Sequence, residues 1–172
     1  MFVVRNGNPA DVEAASALIR AAYAEYEPFY PQDRWSDYIA NVGRLGERPD
    51  GYQLVLAMDA ERLVGAVLFY PDASRAGQGD WPPGSAALLR LAVLPVARGH
   101  GVGRALVEEC IRRARALGVN SLALHTTVWM AVARAMYERM GFVRVPEYDF
   151  RPRPGVVGMG YVFDLTTPVP RP

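Results

Sequence analysis

The spacing of apolar residues changes repeatedly along this chain, and each change predicts an element. Phe2 to Arg5 is a short run that reads as a strand. Val12, Ala15, Leu18, Ile19 and Ala22 then recur at helical spacing and predict a helix through Tyr23. Asn8 stands before it as an N-cap, with Pro9 at the first helical position. Glu25 to Arg48 is rich in aromatic residues, and Trp35 to Leu45 predicts a second helix. Tyr52–Met58 and Leu63–Tyr70 read as two strands of a hairpin around Asp59–Arg62. Pro71 to Ser85 is a Gly/Pro/Asp-rich loop, exposed and longer than a hairpin needs. Ala86 to Leu94 is almost continuously apolar, as in a strand covered on both faces.

Gly101 to Leu117 is a strongly amphipathic helix. Leu106, Val107, Cys110, Ile111, Ala114 and Leu117 form its apolar face, and Gly118 closes it. Ser121–Thr127 is a further strand and Met130–Met140 a helix ended by Gly141. Phe142–Val145 and Gly160–Leu165 are the last strands, separated by a Pro/Gly-rich loop, and Thr166–Pro172 is a fraying tail. No repeat or linker divides the sequence, so residues 1–172 are expected to form one α/β domain.

Composition narrows the function. Apolar residues make up 51% and charged residues 22%, which suits a folded core rather than a disordered chain. The net charge of +1 lacks the basic excess that nucleic-acid binding calls for. All the basic side chains other than histidine are arginine. Cys110, the single cysteine, excludes an intrachain disulfide, and no spacing suggests a metal site. The first residues turn polar too soon for a signal peptide, and no apolar run approaches the about 18 residues that span a bilayer. A cytoplasmic protein without nucleic-acid or membrane partners is the expectation.

The chemistry concentrates between Leu89 and Leu106. A buried strand ends at Pro95, a loop with Gly99, Gly101 and Gly103 follows, and a long helix begins. The first N–H groups of a helix lack internal partners and sit at its positive end, which favours an anion. The loop lacks both the third glycine of a dinucleotide fingerprint and the Gly-Lys of a P-loop, so by itself it also suits a tight turn without ligand.

At these residues the sequence resembles the GNAT superfamily of N-acetyltransferases. Arg98-Gly99-His100-Gly101-Val102-Gly103 fits the family's Gln/Arg-x-x-Gly-x-Gly/Ala motif after strand four. Ala133-x-x-x-Tyr137-x-x-x-Gly141-Phe142 is similar to its second motif. The resemblance implies a mixed, mostly antiparallel sheet of roughly six to seven strands, with strands four and five splayed apart and about four flanking helices. It also implies acetyl-CoA as co-substrate, without a metal.

By the same resemblance, Leu91 and Val93 contact the pantetheine arm through their backbones, and the Val93 N–H polarises the thioester carbonyl. Backbone N–H groups from Arg98, Gly99, His100, Gly101, Val102 and Gly103 to Arg104 hold the pyrophosphate, and Ala133 and Tyr137 line the cofactor side. Arg98 adds a mobile positive charge. Tyr137 is the general acid that returns a proton to the leaving thiolate. On its own surroundings, without the resemblance, it reads rather as a packed aromatic whose hydroxyl reaches water. His125, at the end of strand five, is either catalytic or bonded to nearby backbone. Cys110 reads as core.

Two positions depart from the family. Met130 stands where an asparagine often contacts the cofactor, with Thr126 or Thr127 as replacements. Arg90 stands near the usual place of a strand-four glutamate, which leaves the general base unassigned, with Glu25, Glu27, Glu147 or His125 as relays. Aromatic residues such as Tyr26, Tyr30 and Trp81 wall the acceptor site, and Glu25, Glu27, Asp80, Glu147 and Asp149 are expected to attract a cationic amine. The expected reaction is acetyl transfer to a small-molecule primary amine. The alternatives are a protein N-terminus or lysine as acceptor, or an acyl-CoA-binding module without catalysis. A homodimer formed through Tyr148–Tyr161 is a further option.

Overall fold

The computed structural model describes residues 1–48 and 51–167. Its strands are β1 (Phe2–Asn6), β2 (Gln53–Asp59), β3 (Arg62–Tyr70), β4 (Ser85–Val93), β5 (Ser121–Thr126), β6 (Val143–Arg144), β7 (Phe150–Arg153) and β8 (Val156–Asp164). The helices are α1 (Val12–Tyr23), α2 (Trp35–Val42), α3 (Val102–Leu117) and α4 (Ala131–Met140). The strands form one mixed sheet in the order β1-β2-β3-β4-β5-β8-β6, with β7 hydrogen-bonded to β8. All pairings are antiparallel except β4–β5.

Eight strands form where roughly six to seven were expected, because Phe150 to Gly160 is a hairpin rather than a loop. Pro152 conceals β7 in the sequence, yet an edge strand tolerates a residue without an N–H. The second helix stops at Val42 rather than Leu45. The expected loop after β3 contains a helical turn, Ala73–Ala76, whose two alanines are buried. Residues 168–172 of the expected tail lie outside the described residues.

Two apolar layers sandwich the sheet. On one face α3 packs Leu106, Val107, Cys110 and Ala114 against Val55, Val67, Phe69 and Leu88, joined by Tyr137 and Phe142. On the other, Leu18, Ile19, Ala22 and Tyr23 of α1 pack with Val42 against Leu56, Leu68, Tyr70 and Leu89. Asn8 and Asp11 form a capping box before α1: Asn8 Oδ1 accepts from the Ala10 N–H and Asp11 from the Asn8 N–H. Gly65 allows α3 to settle on β3. A Cβ there would come within 2.9 Å of Val102 Cγ1 and 3.0 Å of Leu106 Cδ1. The start of α3 is thereby held close to the end of β4.

Candidate active site

Strands β4 and β5 pair only through Ser85–Ser121, Ala86–Leu122 and Ala87–Ala123, although both continue well beyond. From Leu88 to Val93 the β5-facing edge of β4 has no ladder partner among the described residues. The Leu94 N–H bonds the Val64 carbonyl of β3 at 3.0 Å. Backbone direction alternates along a strand, so the N–H and C=O of Val93 face the opening between β4 and β5. An extended chain can add its own amides to such an edge.

The glycine loop closes one end of this opening. Gly99 and Gly101 have φ values of 79° and 82°, a left-handed backbone that side chains with a Cβ rarely adopt. The first helical bond of α3 runs from the Ala105 N–H to the Gly101 carbonyl, 3.0 Å, and no side chain caps the helix. The N–H groups of Val102, Gly103 and Arg104 therefore have no intrahelical partner. Arg98 makes two contacts that the sequence did not suggest. Its Nε donates to the Val93 carbonyl at 3.1 Å, and another guanidinium nitrogen donates to Glu25 at 2.6 Å. This side chain ties the loop to the end of β4 and to the turn after α1. His100 is exposed in the loop.

The other end opens on a cavity of about 130 Å³. Of the predicted residues, Leu91, His125, Ala133 and Tyr137 line it, whereas Arg98 to Arg104 do not. Tyr137 is 4% exposed, and its phenol pKa is raised well above the usual value by burial and then by its tyrosine neighbours. The hydroxyl stays protonated at neutral pH. His125 Nε2 lies 2.6 Å from the Tyr148 carbonyl, which only accepts, so Nε2 carries the proton and Nδ1 the lone pair. Burial lowers the His125 pKa, with the Tyr148 bond opposing, and the ring is neutral. His125 is bonded to nearby backbone, the structural one of its two readings, and it also lines the cavity. Cys110 lies within the α3 core, where burial pushes its thiol up to about 12, and it has no part in the site.

Met130 lines the cavity, as do Thr126 and Thr127, whose hydroxyls are buried without a partner among the described residues. The acids expected to draw a cationic amine are elsewhere. Glu25 is bound to Arg98, Asp149 to Arg144 at 2.6 Å, and none of Glu27, Asp80 or Glu147 lines the cavity.

Arg90 is the residue that sequence reasoning undervalued. It registered there only as a missing glutamate. At this point β3 and β4 slip register: Ala66 faces Ala92 and Leu68 faces Leu89, so Arg90 and Leu91 together oppose Val67. Arg90 takes the left-handed φ of 58°, which costs about 1–2 kcal/mol for a residue with a Cβ. The bulge puts Leu89 and Leu91 into opposite core layers although they are two residues apart. Arg90 joins the cavity wall, and its Nε is buried without a partner among the described residues. Burial pulls its pKa down, the phenols Tyr23 and Tyr38 oppose that, and the Arg48 cation adds to it. An arginine interrupting an apolar strand was the available signal. Among the described residues no group of three or more His, Cys, Asp or Glu side chains is placed to hold a metal ion. No helix among them is long and apolar enough to cross a membrane.

Comparison with known proteins agrees with this geometry. The sequence model described as "Acetyltransferase (GNAT) family" matches residues 13–142. An uncharacterized N-acetyltransferase of Schizosaccharomyces pombe is 28% identical over 151 residues, 88% of each chain. The PaiA N-acetyltransferase of Thermoplasma acidophilum, solved with coenzyme A, superposes with a TM-score of 0.71 at 15% identity, covering 95% of this chain and 99% of that one. The ribosomal-protein-S18-alanine N-acetyltransferase of Escherichia coli gives 0.67 at 20% identity, covering 99% and 97%. At such identities the two structures speak for the fold alone.

Proposed function

Since the chain belongs to the GNAT acetyltransferase family, we propose that it transfers acetyl from acetyl-CoA directly to a primary amine of a small molecule. The observation that carries this reading is the early end of β4–β5 pairing at Ala87–Ala123, between an uncapped helix start and a cavity holding Tyr137. The residues present suit the cofactor. The Thr126 and Thr127 hydroxyls lack partners among the described residues, the free edge of β4 matches an amide-bearing arm, and the N–H groups of Val102 to Arg104 match a diphosphate.

Bound acetyl-CoA supplies an activated thioester carbonyl. The Val93 N–H, fixed in the strand, donates to that oxygen as negative charge develops on it. The amine nitrogen forms a bond to the carbonyl carbon, and the carbon–sulfur bond breaks. His125 Nδ1, whose ring is held by the Tyr148 carbonyl, is the group to receive the amine proton, directly or through water. Tyr137 holds a proton for the departing sulfur. Its raised pKa keeps that proton in place until a thiolate forms in the dry cavity. Leu91 and Ala133 exclude water beside it.

Thiol release from acetyl-CoA over a broad amine panel, with mass spectrometry of the product, tests the proposal. The expected result is amine-dependent release of CoA and a product heavier by one acetyl group. Tight acetyl-CoA binding with no amine-dependent release would instead mark a binding module without catalysis.

A further inference from the structure

The buried polar side-chain atoms without hydrogen-bond partners among the described residues are Trp81 Nε1, Arg90 Nε, Thr126 Oγ1, Thr127 Oγ1, Trp129 Nε1 and Arg153 Nε. They are not scattered. Arg90, Thr126, Thr127 and Trp129 line the cavity that holds Tyr137. Trp81 is packed 4.3 Å from the ring of His125, and Arg153 lies 5.9 Å above the ring of Tyr30, both of them cavity residues.

Native proteins leave few buried polar groups unpaired, and a cluster of them around one opening marks groups that a ligand completes. The chemistry of the cluster is one-sided. Indole and guanidinium nitrogens only donate, and the two hydroxyls donate or accept. The cavity lining contains no aspartate or glutamate. Arg90 remains a cation at any physiological pH, and it makes no ion pair or hydrogen bond with a described residue. The phenols beside it, Tyr23 and Tyr38, have raised pKa values, so they supply no negative charge.

From this geometry we infer that the acceptor is an amine that also carries a carboxylate, and that Arg90 receives the carboxylate. The inference rests on the transferase reading and narrows its substrate class to amino acids or their close analogues. The aromatic wall of Tyr26, Tyr30 and Trp129 favours an apolar or aromatic side chain. A polyamine would bring a second ammonium toward an unpaired guanidinium, which disfavours it. Backbone geometry supports a functional role as well. The chain holds Arg90 in a left-handed bulge that places it in the wall of this cavity.

Matched acceptor pairs test this. Phenylalanine and phenethylamine, and leucine and isopentylamine, differ only in the carboxylate. The wild-type chain is expected to show at least about tenfold higher kcat/KM for the carboxylate member of each pair. Arg90→Met is expected to lower kcat/KM for the amino acid by about 100-fold and collapse the preference within each pair. The same variant should keep acetyl-CoA affinity by calorimetry and should not lower Tm, since an unpaired buried charge is removed. An arginine that merely supports the fold would lower Tm and affect both members alike.

A second readout does not need turnover. N-acetylphenylalanine is titrated into CoA-saturated protein, where wild type should bind and Arg90→Met should not. Binding through Arg90 without any amine turnover would uphold the carboxylate site and refute the transferase reading. Acetylation of phenethylamine in preference to phenylalanine would uphold transfer and overturn the carboxylate site. Equal binding of N-acetylphenylalanine by wild type and variant would overturn it too.

Discussion

The two ends of the β4–β5 pair obey opposite rules. At the closed end, three residue pairs zip the strands. There the buried hydroxyl of Ser85 donates to the Pro82 carbonyl at 2.7 Å and lies 2.8 Å from the Ser121 hydroxyl. Both serine hydroxyls have partners. At the open end the strands part, and Thr126, Thr127 and Arg90 bury polar atoms with none among the described residues. Unpaired buried groups cost about 1–3 kcal/mol each. A ligand that supplied partners at the open end would offset that cost.

The sharpest break between the ends is expected from Tyr137→Phe. Losing the proposed general acid should lower kcat by about 10² to 10⁴-fold and leave acetyl-CoA affinity nearly unchanged, as steady-state kinetics and calorimetry would report. Turnover equal to wild type would remove Tyr137 from the mechanism. A smaller loss is expected from Gly101→Val. A β-branched residue resists the φ of 82° at the start of α3, so acetyl-CoA should bind about tenfold or more weakly by titration.

Hydroxyl removals should then differ in sign between the ends. Ser85→Ala deprives Ser121 of a buried partner and should destabilise the fold by about 1–2 kcal/mol in urea unfolding. Thr126→Val replaces an unpartnered hydroxyl by a methyl group and should leave stability unchanged or raised in the absence of ligand. It should also reduce the stabilisation that acetyl-CoA confers. Equal losses from both substitutions would erase the contrast.

The smallest effect concerns acid. The His125 pKa in the folded chain lies below its usual value of 6.5, so the neutral ring contributes its full stability above that pH. The contribution is lost as pH falls through the lowered folded value, because the unfolded chain takes up the proton first. Calorimetry should show wild type losing more Tm below about pH 6.5 than His125→Gln, whose amide can still donate to the Tyr148 carbonyl. Parallel Tm profiles for the two proteins would mean that the imidazole is not held neutral.

The loop end of the site was readable from sequence because its physics is local. A proline stop, alternate glycines and a helix start lie within a dozen consecutive residues or so, and their dipole and φ requirements follow from residue type. Helix and strand periods likewise marked α1, α3 and the first five strands. The acceptor cavity is different. Tyr23, Arg90, Thr126, Trp129 and Phe150 meet there from distant segments, and no periodicity records such a meeting. The acids counted as attractants for a cation proved to be paired elsewhere or on the outside. Strand β7 went unseen for a related reason, since Phe150-Arg151-Pro152-Arg153 has no strand-like pattern until β8 offers it an edge.

The extra residue in β4 also bears on how this protein diversifies over generations. Because the bulge sends Leu89 and Leu91 to opposite layers, Arg90 is a supernumerary position between two packing schemes rather than a member of either. A codon change there can redraw the charge of the acceptor cavity while the leucines on both sides keep their places. Deleting the codon would shift every later side chain of β4 to the wrong face. The scaffold thus permits heritable tinkering with selectivity at a site whose length it cannot alter.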